Sequence, residues 1–226
     1  MANHCYNYIT INGNSTELNE LYERLTKEQG YVDFKHVLGR KHEITYGEIF
    51  QVVGTKWFTP EIERVDDGII LSGDSAWSPP VALFKNLAEQ FTSLQICMGF
   101  EESGMDFGGE IQINKNGVKE IFSGTFWQYR AHQDYFSFLE AATDEAKYLI
   151  DDGIISSLTD LKNLDIYTSL HEEDKEGFLK DVLKSTTKNL YQVQFKANEH
   201  VSESIFMDSE QDVKQLHPKA IVAQVT

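Results

Sequence analysis

What constrains this chain most is how its hydrophobic period switches between two and about 3.6 along the first hundred residues. Residues 5–12, Cys-Tyr-Asn-Tyr-Ile-Thr-Ile-Asn, alternate with β-branched and aromatic side chains, the pattern of a strand. Gly13 breaks that run, and Asn14 with Glu17 three residues on has the spacing of a capping box. Leu18, Leu21, Tyr22 and Leu25 then recur at i, i+3, i+4 and i+7, one apolar stripe on a helix that Gly30 ends. Residues 31–50 read as a loop with some helical or strand content. Asp67-Gly68 signals a tight hairpin between Ile62–Val65 and Ile69–Leu71. Ser78-Pro79 suits an N-cap followed by the first helical position, and Val81, Phe84, Leu87, Ala88 and Phe91 give that helix its buried face. Leu94, Ile96, Met98 and Phe100 alternate as another strand, and Asn116-Gly117 joins two more.

Strand–helix–strand–strand–helix–strand is the split βαβ order of a ferredoxin-like α+β sandwich, with both helices on one face of an antiparallel sheet. The sequence therefore predicts a ferredoxin-like domain over residues 1–126. From 127 to 226 it predicts a mainly helical region followed by a small strand–strand–helix–strand unit from about Tyr191. Leu139, Ala142, Ala146 and Leu149-Ile150 sit at helical spacing, as do Phe178-Leu179 and Val182-Leu183. Glu172, Glu173 and Asp174 ahead of Lys180, Lys184 and Lys188 suit the macrodipole of the second helix. Ser209 is placed to cap a short helix that Pro218 stops, and residues 220–225 read as a last strand.

Composition narrows the class. Apolar residues at 41% are enough for a core, which excludes whole-chain disorder. No apolar run reaches the ~18–20 residues of a membrane span, and the first residues lack the basic and apolar regions of a signal peptide. Two cysteines, Cys5 and Cys97, make neither a disulfide framework nor a four-thiolate zinc site, so reduced thiols in a cytoplasmic protein are expected. Twenty Lys and Arg against 36 Asp and Glu leave a net charge of −16, with both halves acidic, which argues against gripping a phosphate backbone.

Four separated segments carry a family likeness: the opening Met-Ala-Asn-x-Cys, Gly54-Thr55-Lys56-Trp57, Ala76-Trp77-Ser78-Pro79-Pro80, and Phe100-Glu101-Glu102-Ser103-Gly104-Met105-Asp106-Phe107-Gly108-Gly109. In this order they resemble the YubB-type ferredoxin-like family of phage, plasmid and mobile-element proteins, over about residues 1–125. His4 stands where that pattern has Trp, and Phe58 where it has an acidic residue. The resemblance implies a ferredoxin-like fold and a mobile-element origin, and implies nothing about catalysis.

The common catalytic signatures are absent. Asp106-Phe107-Gly108 echoes the kinase metal-binding tripeptide without its companions, no phosphate-cradling glycine loop occurs, and Trp77 stands where a nucleophile elbow needs its second glycine. Seven scattered histidines have no metal-ligand spacing, so neither metal nor cofactor is expected. The candidate binding residues are Trp57, Trp77, Glu101, Glu102 and Asp106, tryptophans at strand ends beside carboxylates crowded on one turn. The alternative for the turn is a solvated acidic loop, and for Trp77 a buried side chain closing the core. Tyr6 and Tyr8 share one strand face, as base-stacking aromatics do, but the acidic surround favours burial of both against the C-terminal region. The resulting expectation is a non-catalytic interaction protein acting on a host protein, without direct nucleic-acid or membrane contact. A sharper form is counter-defence by DNA-mimicking carboxylates. The other expectation is a small-ligand binder or enzyme with a pocket near Trp57, Trp77 and the Glu101–Asp106 turn.

Overall fold

The computed structural model describes residues 3–27, 31–195, 202–216 and 220–225. The chain divides into two compact units, Met1–Tyr129 and Arg130–Thr226.

In the first unit, β1 (His4–Asn12) buries Cys5, Asn7, Ile9 and Ile11 and turns His4, Tyr6 and Tyr8 to the other side. Asn14 caps α1 (Ser15–Leu25) by accepting from the Glu17 N–H. Only half of the expected capping box forms. The Glu17 carboxylate accepts instead from the backbone N–H and hydroxyl of Ser93 at 2.9 and 2.8 Å, and the Asn14 N–H donates to that hydroxyl. A distant serine thus replaces the local partner, because the start of α1 packs beside the approach to a later strand. The α1 stripe of Leu18, Leu21 and Leu25 is buried as its spacing predicts, while Gly30 lies outside the described residues.

Two one-turn helices follow, α2 (Phe34–Val37) and α3 (Ile49–Val52), in the stretch the sequence leaves open. The hairpin of β2 (Phe58–Val65) and β3 (Gly68–Ala76) turns at Asp66-Asp67, one residue earlier than predicted, and Gly68 already pairs with Val65. α4 (Val81–Gln90) begins later than Ser78-Pro79 suggests, with Pro80 at its N-cap. The Ser78 hydroxyl is engaged elsewhere, donating to the Gly54 carbonyl at 2.7 Å. β4 (Gln95–Glu102), β5 (Phe107–Asn114) and β6 (Gly117–Gly124) complete the sheet.

Its order is β2-β3-β1-β4-β5-β6, antiparallel throughout. β3 lies between β1 and β2, and β1 between β3 and β4: two interleaved split units, the ferredoxin-like arrangement, extended at one edge by the β5–β6 hairpin. Leucines of α1, Leu83, Phe84 and Leu87 of α4, and Ile9, Ile11, Ile69, Leu71, Ile96 and Met98 of the strands form one core cluster, so both helices cover the same face. α5 (Phe126–Gln133) follows β6 and sets Tyr129 on the opposite face.

In the second unit, α6 (Tyr135–Asp151) is capped by Asp134 and buries Phe138, Ala142, Ala146 and Ile150. α7 (Leu158–Asn163), α8 (Asp165–Thr168) and α9 (Lys175–Ser185) make the region mainly helical, as predicted. The acids Glu172–Asp174 form a 3-10 turn leading into α9. β7 (Asn189–Phe195), β8 (Ser202–Met207) and β9 (Ala220–Gln224) make an antiparallel sheet in the order β8-β7-β9, with α10 (Glu210–Leu216) between β8 and β9 in sequence. Ser209 caps α10 by accepting from Asp212, as its position predicts, and Pro218 lies outside the described residues.

Candidate functional site

All five residues singled out in the sequence lie at one end of the six-stranded sheet, where β1 begins, β3 and β4 end, and β2 and β5 begin. Each has a different local task. Gly54-Thr55-Lys56-Trp57 and Ala76-Trp77-Ser78-Pro79-Pro80 interlock. The buried Thr55 hydroxyl donates to the Ala76 carbonyl at 2.8 Å, and the Ala76 N–H donates to the Trp57 carbonyl at 3.1 Å. Gly54 has φ +94°, and a Cβ there would come within 3.1–3.2 Å of Pro79 O, Val81 N and Ala82 N, so the position needs glycine on both counts. The two motifs are therefore a clasp that holds the start of α4 to the start of β2.

The tryptophans do not share one role. Trp57 meets the His4 ring edge-on at 5.2 Å. Trp77 is 55% exposed, at a left-handed φ of +70°, with its backbone N–H donating to the Asn3 carbonyl. The expected burial of Trp77 is overturned: the clasp closes the core with Thr55 and Ala76, leaving the indole outside.

The turn after β4 is not a uniformly solvated acidic loop. Glu102 is 4% exposed, and its carboxylate accepts from the N–H groups of Gly104 (2.9 Å) and Met105, fixing the turn. Asp106, at φ +54°, accepts from the Phe126 N–H at 3.2 Å and so anchors α5. Glu101 lies opposite Tyr6 on the neighbouring strand and faces away from α1 and α4. Gly108, two residues past Asp106, lies directly under Tyr129: a Cβ there would be 2.5 Å from the Tyr129 Cβ.

The face of the sheet away from α1 and α4 carries the more extended feature. Tyr6 and Tyr8 stand on it, 44% and 48% exposed, so the expected burial of this pair does not occur. The registers β1–β3, β3–β2 and β1–β4 place Asp74, Glu61, Glu63 and Glu101 around them. β1 to β5 contain no lysine and one arginine, Arg64. Its guanidinium donates to the Val65 and Gly68 carbonyls and to Asn19 of α1, on the helix side. Sequence reasoning missed Glu61, Glu63 and Asp74; the signal was there in Thr59, Glu61 and Glu63 recurring every second residue.

A cavity beside Trp57 is lined by residues 31–35 and by Glu43, Ile44 and Ile49, with Lys56 and Phe58. Trp77, Glu101, Glu102 and Asp106 do not line it. Among the described residues no group of three His, Cys, Asp or Glu side chains is placed to hold a metal ion. No helix among them is long and apolar enough to cross a membrane.

Residues 54–142 match the family model described as the ferredoxin-like domain in Api92-like protein. The matched stretch runs from the clasp to the middle of α6 and contains β2–β6 and α4. It agrees with the strand order and supports a ferredoxin-like family of unknown function. No curated protein and no solved structure matches the chain.

Proposed function

We propose that this chain is a non-catalytic protein-interaction module that grips a basic surface of another protein with the open face of its six-stranded sheet. The carrying observation is the pair of exposed tyrosines, Tyr6 and Tyr8, set among Asp74, Glu61, Glu63 and Glu101 on β1 to β4, whose one arginine points to the other face. Tyrosine faces attract guanidinium and ammonium groups by about 0.5–1 kcal/mol at exposed sites, and carboxylates add charge-assisted hydrogen bonds. A nucleic acid stacking on the same tyrosines would bring its phosphates against these carboxylates, which disfavours the base-stacking use of the face. The net charge of −16 adds long-range steering toward a basic partner. The resemblance in residues 1–125 supports a phage, plasmid or other mobile-element setting, in which the partner is a protein of the host cytoplasm and the outcome is counter-defence.

Affinity capture from host lysate tests this, with the natural chain and the Tyr6→Ser/Tyr8→Ser variant compared at low and high salt. The expected result is a basic protein that is retained by the natural chain at low salt, released by salt and lost by the variant, whose melting curve is unchanged. Equal capture by both chains would overturn the assignment to this face.

A further inference from the structure

The stretch between α1 and β2 departs from the rest of the chain in charge and in surface. Residues 31–57 carry Lys35, Arg40, Lys41 and Lys56 against Asp33, Glu43 and Glu48, a slight positive excess within a strongly acidic protein. They also expose three large rings, Tyr31 (56%), Tyr46 (71%) and Phe50 (50%). Within this stretch opens the cavity beside Trp57, about 270 Å³ in volume, with Phe34, Ile44, Ile49 and Phe58 among its apolar walls and Tyr31 and Trp57 as aromatic ones.

Most charged groups of the cavity are already engaged. Asp33 caps α2 by accepting from the His36 N–H, and Lys35 is ion-paired with Glu43. Lys56 differs. Its ammonium lies 5.7 Å from the centre of the Tyr46 ring and has no carboxylate within ion-pair distance among the described residues. The Tyr46 ring is in turn steadied edge-to-face by Phe50. An apolar, aromatic-walled space with an ammonium outside any ion pair at its edge selects a particular ligand chemistry.

We propose that this cavity binds a small molecule joining a flat aromatic body to one anionic group, the body between Trp57 and the apolar wall and the anion on Lys56. The volume is below the usual range for cofactor pockets, so a body of one or two fused rings fills it. The lining includes neither Tyr6 nor Tyr8. Phe58 ties the cavity to the core under α1 and α4, while Trp57 also meets His4, so the site borders the proposed interaction face without sharing its tyrosines.

The chain has three tryptophans, Trp57, Trp77 and Trp127, whose indole N–H signals resolve the site directly by NMR. Naphthalene-1-sulfonate is titrated into the ¹⁵N-labelled full chain, with neutral 1-naphthol as the control and Trp57→Phe assigning the signal. The sulfonate is expected to shift the Trp57 signal saturably in the low millimolar range or below, leaving Trp77 and Trp127 in place, and to bind more tightly than the naphthol. Lys56→Gln, an exposed substitution checked by its melting curve, should weaken the sulfonate about tenfold and leave the naphthol unchanged. Glu43→Gln frees Lys35 and should strengthen sulfonate binding. Absence of a saturable Trp57 shift, equal affinity for both compounds, or indifference to Lys56→Gln would each overturn the proposal.

Discussion

Cys5 and Cys97 show how one strand neighbourhood gives the same residue type two chemistries. Cys5 lies on the helix side of β1 with no exposure, and burial pushes its thiol up to about 12, a hydrogen bond with Ser75 offsetting part of the effect. Cys97 lies on the open side of β4 and is half-buried. Because the thiolate is the reactive form, a thiol reagent at pH 8 should label one cysteine of the native chain and both in denaturant. Peptide mapping should find the native label on Cys97. Fast labelling of Cys5 would contradict its burial. Glu102 and Trp77 make the converse pair, where sequence proximity to one motif misjudges the role. Glu102→Ala removes the acceptor for two turn N–H groups and should cost about 1–3 kcal/mol by chemical denaturation. Trp77→Ala, at an exposed position, should cost less than about 1 kcal/mol. A reversal of that order would return Trp77 to the core and Glu102 to the solvent.

At the scale of elements, the sequence was legible where periodicity alone decides and less so where a distant residue intervenes. The α1 stripe and the β1 alternation formed as their spacing predicts, since each follows from which face meets the core. Half of the α1 cap was not legible, because Ser93 is remote in sequence and only the fold brings it to Glu17. Burial raises the Glu17 carboxyl, but the hydrogen bonds from Ser93 and Asn14 outweigh that and hold it below its ordinary value of 4.5. A depressed carboxyl contributes stability above its unfolded value and loses that contribution as pH falls through the folded one. Glu17→Gln should therefore be destabilised relative to the natural chain at pH 7, with the difference shrinking as pH drops below 4.5. A difference that grows toward acid pH would show that Ser93 is not the partner that matters. Asp106 and Gly108 pose the same problem of reach: the sequence marks them as a motif, but the reason for them, the Phe126 N–H and the Tyr129 ring, lies in α5. Gly108→Ala should cost about 1–3 kcal/mol, the usual penalty of overpacking, measured by thermal or chemical melting.

For the whole molecule, charge is the property that the sequence states outright and the fold only distributes. The class was legible because strand and helix periods alternate in an order with few solutions. The open face was not, since no single strand reveals that β1, β2, β3 and β4 present their acids together while Arg64 turns to α1. With 36 acidic against 20 basic residues the chain has an excess of 16 negative charges, and the compact state carries their repulsion. Some ion pairs oppose it, Arg24 with Glu20 and Lys214 with Glu210 among them, but exposed pairs contribute only about 0.2–1 kcal/mol each. Raising potassium chloride from about 0.01 to 0.5 M shortens the screening length from roughly 30 Å to well under 10 Å, so repulsion fades over most of the surface. The melting temperature should rise across that range, and chloride rather than sulfate keeps the effect apart from salting-out. The same salt should release a basic partner from the Tyr6–Tyr8 face, so folding and binding respond with opposite sign. A melting temperature that falls with chloride would mean that the ion pairs outweigh the repulsion, and the acidic surface would then lose its place as the dominant electrostatic feature of the chain.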